Sequence, residues 1–359
     1  MPQHEENASI KHDASHQANQ TERRKADHIR ICLEETVQAS GVTTGLERYR
    51  FVHQALPELN FDDIDLNTSW FGIPVDTPFL ISSMTGGSEG TDRINLRLAA
   101  IAEERGWAMG VGSVRAAVEN PALISTFKLR HVAPTIPLFA NIGAVQLNMG
   151  MGVNECEKAV EIVEANALIL HLNALQEVFQ PEGDVDFSEL LFKIEEVCRK
   201  LSVPVGVKEV GWGIAEDTAR QLSDAGVSFI DVAGAGGTSW SQVEKFRSHQ
   251  AVQRRAAEAF ADWGIPTADS VLAVRSALPE MKVVASGGIR HGVDAAKAIA
   301  LGADAVGFGR SLLQAAISSE EEVNEVLMQV ELELRIAMFG IGARTISDLQ
   351  RSKRLVKIQ

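Results

Sequence analysis

Cysteine is scarce in this chain: Cys32, Cys156 and Cys198 are the only three in 359 residues, widely spaced and without a CxxC pair. That pattern excludes a disulfide framework and a structural zinc site, and it fits a reducing, cytoplasmic setting. Positive charge is short too. Against 48 acidic residues stand 34 lysines and arginines, a formal net charge of −14, which argues against nonspecific attachment to nucleic acid or to an anionic membrane surface. Phosphate binding, if any, must come from local basic clusters. No apolar run reaches the ~18 residues that would span a bilayer, and the N-terminus lacks the apolar centre of a signal peptide. Met1 to Glu22 carry almost no large apolar side chain, so they cannot bury a core and are expected to be disordered.

What is present is an ordinary globular composition, 45% apolar and 23% charged, in a chain long enough for one large α/β domain or two smaller ones. Folding is expected to begin near Arg23, with residues 23–77 forming an arm and lead-in and 78–359 the main body. From Pro78 onward short apolar runs alternate with stretches of helical period. The strand candidates are Phe79 to Met84, Ala108 to Val111, Leu138 to Asn141, Ala167 to Leu172, Val203 to Lys208, Phe229 to Val232, Lys282 to Ser286 and Ala305 to Gly307. Helix candidates include Asp92 to Arg105, Asn154 to Ala165, Ser188 to Leu201, Ala215 to Ala225, His291 to Leu301 and Glu320 to Phe339. Asn154, Ser188 and Ser319 are read as N-caps, and Gly106, Gly226 and Gly302 as helix ends. Strands each followed by a helix, with no second core, predict a single (β/α)8 TIM barrel. A doubly wound open sheet is the alternative, but the first turn reads MTGGSEG rather than GxGxxG. Ser241 to Pro266, with Trp240, Phe246 and Trp263 about it, is too long for a simple connection and predicts an ordered insertion or lid between strands six and seven.

The most informative stretch is ALILHLNALQE, Ala167 to Glu177, where a buried apolar strand becomes polar at its carboxyl end. His171, Asn173, Gln176 and Glu177 fall where α/β enzymes build their sites, so the turn reads as a substrate and metal station; a solvated loop is the alternative. Strand seven runs into Ser286, Gly287, Gly288, Ile289 and Arg290, and strand eight into Gly307, Phe308, Gly309 and Arg310. Glycines let a phosphate approach the backbone and helix N-termini hold the anion, so two such turns, each with an Arg, point to a phosphate-bearing ligand. Met84, Thr85, Gly86 and Gly87 after strand one, Ser113 after strand two, Asn141 and Lys208 supply donors for a planar heterocycle over the barrel mouth. Flavin mononucleotide (FMN) fits, with Lys208 stabilising negative charge on the ring. Taken singly, Thr85 could be a turn residue, Asn141 a strand-end cap and Lys208 a snorkelling surface charge.

With these residues laid out, the chain closely resembles the type 2, flavin-dependent isopentenyl-diphosphate isomerases. The resemblance rests on RKADH at Arg24 to His28, SSMTGG at Ser82 to Gly87, GVGSVRAAVENP at Gly110 to Pro121 and FANIGAVQLN at Phe139 to Asn148. HLNALQE at His171 to Glu177, KEVGWG at Lys208 to Gly213 and DVAGAGGTSW at Asp231 to Trp240 complete it. It implies flavin contacts from Met84, Thr85, Gly86, Ser113, Asn141, Lys208, Thr238, Gly288, Ile289, Arg290, Gly309 and Arg310. It implies substrate contacts from Arg24, Lys25, His28, Arg115, His171, Asn173, Gln176 and Trp240, with Gln176 and His171 as the catalytic candidates and Glu177 carrying Mg²⁺. NADPH would reduce the flavin, the reduced flavin would serve as acid and base, and copies of the chain would assemble into a tetramer or octamer. Trp212 and the pair Gly309 and Arg310 depart from the family pattern; the latter looks more like hydroxy-acid-oxidising flavin barrels. Two other readings stand beside this one. An FMN-dependent 2-hydroxy acid oxidase or dehydrogenase needs a His base and a carboxylate-binding Arg after strand six, where this chain has GAGGTSW. A non-catalytic flavin-binding barrel would have lost Glu177 or the basic arm, and both are present.

Overall fold

The computed structural model describes residues 24–84, 86 and 91–358; the Met1 to Glu22 extension, Thr85 and Gly87 lie outside them. Eight parallel strands close into a barrel: β1 Phe79–Ile81, β2 Ala108–Gly110, β3 Leu138–Gly143, β4 Ala167–Leu172, β5 Val205–Glu209, β6 Phe229–Asp231, β7 Lys282–Ala285 and β8 Ala305–Phe308. Each strand pairs with its successor and β8 returns to β1, so the open-sheet alternative is excluded. Their burial explains why they read as apolar runs rather than alternating ones: β1, β2, β3, β6 and β8 are buried at every residue, because helices cover the outside and side chains fill the inside. β1 ends at Ile81, so Met84 belongs to the loop that follows. β5 starts at Val205, two residues later than the pattern implied, because Pro204 precedes it and has no N–H for the ladder.

An aromatic plug closes the amino-terminal end of the barrel. Thr68–Trp70 and Ile73–Val75 form a hairpin whose two central residues, Phe71 and Gly72, both have positive φ, 49° and 84°, the turn that suits the twist of paired strands. Its Trp70 is 0% exposed and sits 5.0 Å from the Phe139 ring and 5.9 Å from the Phe229 ring. A Cβ on Gly206 would lie 2.1 Å from the Phe229 ring, so β5 needs a glycine there to admit the aromatic layer. A second strand pair, Tyr49–Phe51 with Leu355–Lys357, ties the lead-in to the chain's end.

Ser319 caps the 22-residue helix Glu320–Ile341, accepting from Glu322 N at 3.2 Å. That helix buries Val323, Leu327, Val330, Leu334, Met338 and Ile341, one stripe at spacings of three and four. Two expected caps are displaced. Gly152, not Asn154, precedes Val153–Val163, because the Glu155 carboxylate takes the Gly152 N–H at 2.7 Å. Glu189, not Ser188, precedes Leu190–Lys200, because the Ser188 N–H is turned to Asp186 Oδ1 at 3.0 Å. The polar turn after β4 is the short helix Ala174–Phe179, and the insertion holds two helices, Trp240–Arg247 and Ala251–Ala259. The basic segment is helical over 24–34. It packs Ile31 and Cys32 against Val243 and Leu313 at the carboxyl end of the barrel.

Candidate active site

Two adjoining chambers open at that end, of about 440 Å³ and 190 Å³. Lys25, His28, Ser83, Met84, Lys208, Val210 and Trp240 wall both. Thr238, Gly288, Ile289, Arg290, Gly309 and Arg310 line the larger chamber. Arg24, Gly86, Ser113, Arg115, Asn141, His171, Asn173, Gln176 and Glu177 line the smaller one. Every site candidate named from the resemblance thus borders one chamber or both, apart from Thr85, which like Gly87 lies outside the described residues. Trp212 borders neither; it is buried beneath Gly264.

The larger chamber has the donor set of a phosphate site. The helix Arg310–Ser318 begins at Gly309 with no side-chain cap, so its first N–H groups are open to an anion. One nitrogen of Arg310, Nη1, is buried without a hydrogen-bond partner, as are the Ser82 and Ser83 hydroxyls. Nothing in the protein crowds Gly309: the nearest atom to a Cβ there would be Ser82 Cβ at 4.0 Å, so the missing side chain leaves room in the chamber. Gly287 and Gly288 have a different cause. Cβ atoms there would lie 2.2 Å from Gly234 O and 2.6 Å from Gly236 O, so two backbone turns press together. The helix Gly292–Ala300 does not share the anion role expected of it, because His291 caps it by accepting from Asp294 N at 3.2 Å. Arg290 reaches away to Gln38 Oε1 at 2.8 Å. The open helix start at Gly309 and the unpartnered Arg310 nitrogen fit an anionic group such as the phosphate of FMN.

Strand register builds the floor of the smaller chamber. Gly143, His171 and Lys208 line it side by side across β3, β4 and β5, and the same row continues to Asp231 on β6 behind the wall. His171 Nδ1 is 2.8 Å from Asn141 Oδ1; the ring nitrogen donates and the amide oxygen accepts. Burial first, then the Lys208 and Arg24 charges, push His171 down to about 4, so the ring is neutral at pH 7. Glu177 accepts from Asn173 Nδ2 at 2.7 Å, Gln180 Nε2 at 3.3 Å and Asp184 N at 2.9 Å. Burial holds its carboxyl above the usual range in spite of those donors and Arg24. Among the described residues no three His, Cys, Asp or Glu side chains gather into a cation cage, so a metal here would rest on one carboxylate and on ligand oxygens.

Sequence reasoning missed Glu244. It is fully buried in Trp240–Arg247, inside the segment read only as a lid, and both of its oxygens are engaged. Oε1 meets His28 Nε2 at 2.8 Å and Gln176 Nε2 at 3.3 Å, while Arg247 donates to Oε2 at 2.7 Å. Burial raises this carboxyl, but His28 and Arg247 outweigh it and hold it below the usual range. Arg247 also binds Glu182 at 2.6 Å. Helix 24–34, the insertion and the polar turn are therefore joined through one ionised carboxylate. Lys25 donates to the Gly86 carbonyl, and His28 meets the Trp240 ring edge-on at 5.0 Å.

Fold and site together define a flavin-type barrel, and a family model for FMN-dependent dehydrogenases matches residues 157–356. A mandelate oxidase variant solved with benzaldehyde shares the fold at a TM-score of 0.62 and 20% identity, over 96% of this chain and 97% of that one. Sequence similarity narrows the class. The chain is 53% identical over 332 residues to an isopentenyl-diphosphate delta-isomerase of Oceanobacillus iheyensis, covering 92% of this chain and 95% of the relative. It is 51% identical over 340 residues to the isopentenyl-diphosphate delta-isomerase of a Nostoc species, covering 95% and 97%. The chain belongs to the isopentenyl-diphosphate delta-isomerase family.

Proposed function

We propose that this chain interconverts isopentenyl diphosphate and dimethylallyl diphosphate for isoprenoid biosynthesis, with FMN in the larger chamber and the substrate in the smaller. The observation that carries the reading is the shared wall. A chamber with phosphate donors adjoins one ringed by Arg24, Lys25 and Arg115 over a polar floor, with Lys208 reaching both. Moving the double bond requires a proton added at one alkene carbon and another removed nearby, without net oxidation. Reduced FMN, when bound, supplies that acid and base chemistry.

The chain's own groups bind and orient. Arg24, Lys25, Arg115, His171 and Asn173 would hold the diphosphate, and Trp240 would shield the five-carbon tail from water. Gln176 faces the alkene, its amide held by Glu244, so it can steer or pass a proton without changing charge. Glu177 would carry Mg²⁺ against the diphosphate, and NADPH would reduce the FMN. Assembly of several copies is part of the proposal; Met328, Leu332 and Ile336 form an exposed apolar line on Glu320–Ile341 that supports it. The oxidase alternative lacks its His and Arg, since Val232 to Trp240 offers neither.

One incubation tests the reading. The protein with FMN, NADPH, Mg²⁺ and isopentenyl diphosphate in D₂O should yield deuterated dimethylallyl product without stoichiometric NADPH loss. Flavin bleaching by lactate-type substrates would instead mark an oxidase, and neither result with FMN bound would mark a binding module. Glu177→Gln should abolish Mg²⁺-dependent turnover yet retain FMN; normal turnover would refute the metal assignment.

A further inference from the structure

Lys208 is not a lone cation at the junction of the chambers. Strand register sets it beside Asp231, which is 0% exposed at the end of β6. Asp231 Oδ1 accepts from Ser286 Oγ at 2.6 Å and from Ala233 N at 3.3 Å. Its other oxygen, Oδ2, is buried with no hydrogen-bond partner and lies 3.9 Å from Lys208 Nζ. The lysine's hydrogen bond goes instead to the Glu209 carbonyl at 2.6 Å. A buried carboxylate oxygen without a donor is costly, and the separation from Lys208 is too long for a bond yet short enough for charge to act strongly. Burial raises the Asp231 carboxyl, against the Lys208 charge and the Ser286 and Ala233 donors that favour its ionised form; as a carboxylate it works on the lysine through its field, while Ser286, the residue after β7, anchors it.

We propose that Asp231 is a positioning residue for the flavin reaction, a buried counter-charge that offsets Lys208 and so lowers the reduction potential of bound FMN. This rests on the reading that FMN fills the larger chamber with Lys208 beside its ring. A ring that gains negative charge on reduction is favoured by a free lysine and less favoured by a lysine already balanced. Asp231 therefore leaves the negative charge of the reduced ring less stabilised, and the ring more basic, than Lys208 alone would.

The potential of FMN in the reconstituted protein, followed by absorbance against a reference dye, reads this charge balance in a way that a merely structural role would not move. Asp231→Asn keeps an acceptor for Ser286 and removes the charge. It should tighten the hold on reduced over oxidised FMN roughly tenfold, a rise of about 30 mV for a two-electron couple. Lys208→Gln should lower the potential, and the double variant, neutral like the native pair, should return close to wild type. A potential in Asp231→Asn at or below wild type overturns the inference. So does a double variant as low as Lys208→Gln, a comparison that still decides if Asp231→Asn alone fails to fold. If the wild type takes up no FMN, or Lys208→Gln leaves the potential unchanged, the flavin placement is wrong and the inference falls with it. If Lys208→Gln shifts the potential and Asp231→Asn does not, the inference alone is wrong.

Discussion

At the residue scale, His171 poses a question of protons. Its Nδ1–H is spent on Asn141 and its pKa lies at about 4, so in the free protein at pH 7 the other nitrogen has a lone pair and cannot donate to a phosphate. A diphosphate arriving beside it supplies the negative charge that raises the imidazole pKa. Binding of inorganic pyrophosphate at pH 6 to 7 should therefore take up a proton, read by calorimetry in buffers of different ionisation enthalpy. His171→Asn should lose that uptake, and an uptake unchanged in the variant would remove His171 from the diphosphate site. The place of this residue at the mouth of the barrel was legible, because a buried apolar strand turns polar there. Its protonation was not, since it depends on Asn141, Lys208 and Arg24, contributed by three other segments. Glu244 was invisible for the same reason: its partner Gln176 is 68 residues away, and nothing local distinguishes it from a surface glutamate on a lid.

At the element scale, the barrel divides its work between two ends. The hairpin carrying Trp70 fills the end opposite the site, and removing its indole leaves a void that the packed Phe139 and Phe229 rings cannot close. Trp70→Ala should cost about 3–5 kcal/mol, seen as a lower denaturant midpoint, while FMN affinity of the folded protein stays unchanged. A variant that lost FMN in proportion to stability would show that the two ends are coupled. Barrel strands were legible because both faces are buried and their apolar runs stand out against the amphipathic helices. The 24–34 helix was not, because its charge pattern reads as a solvated arm. It is held by tertiary packing of Ile31 and Cys32, which sequence periodicity does not weigh.

At the scale of the whole molecule, stability depends on groups buried for other purposes. Glu209 receives the Val210, Gly211 and Trp212 N–H groups on one oxygen, at 2.7, 2.7 and 2.5 Å. Burial still pushes its carboxyl up to about 7, outweighing those donors and Lys208. A carboxyl raised on folding contributes stability that is present below its unfolded value, near 4.5, and lost as the pH climbs through 7. Glu209→Gln does not titrate, so relative to wild type it should be more stable at pH 8 than at pH 5; denaturation midpoints at the two pH values decide it. His171 acts in the opposite sense, since its lowered pKa costs stability as the pH falls from about 6.5 to about 4. The wild-type profile between those limits is therefore flatter than either residue alone would make it.

The helix over 24–34 has one more consequence, for time rather than energy. Lys25 and His28 wall both chambers, and the chain beyond them is stitched to the loop after β6 by the Ser239 N–H on Val37 O at 2.7 Å and by the Gln38 to Thr238 bridge. Under the proposed placement, FMN and substrate would lie on either side of a wall that Lys25 and His28 help to form. If FMN enters past that wall, the stitching and the His28 to Glu244 contact would have to come apart together, a larger disturbance than the smaller substrate would need. Cofactor residence should then outlast many catalytic cycles, so that a molecule of this protein is loaded once and turns over repeatedly before it empties.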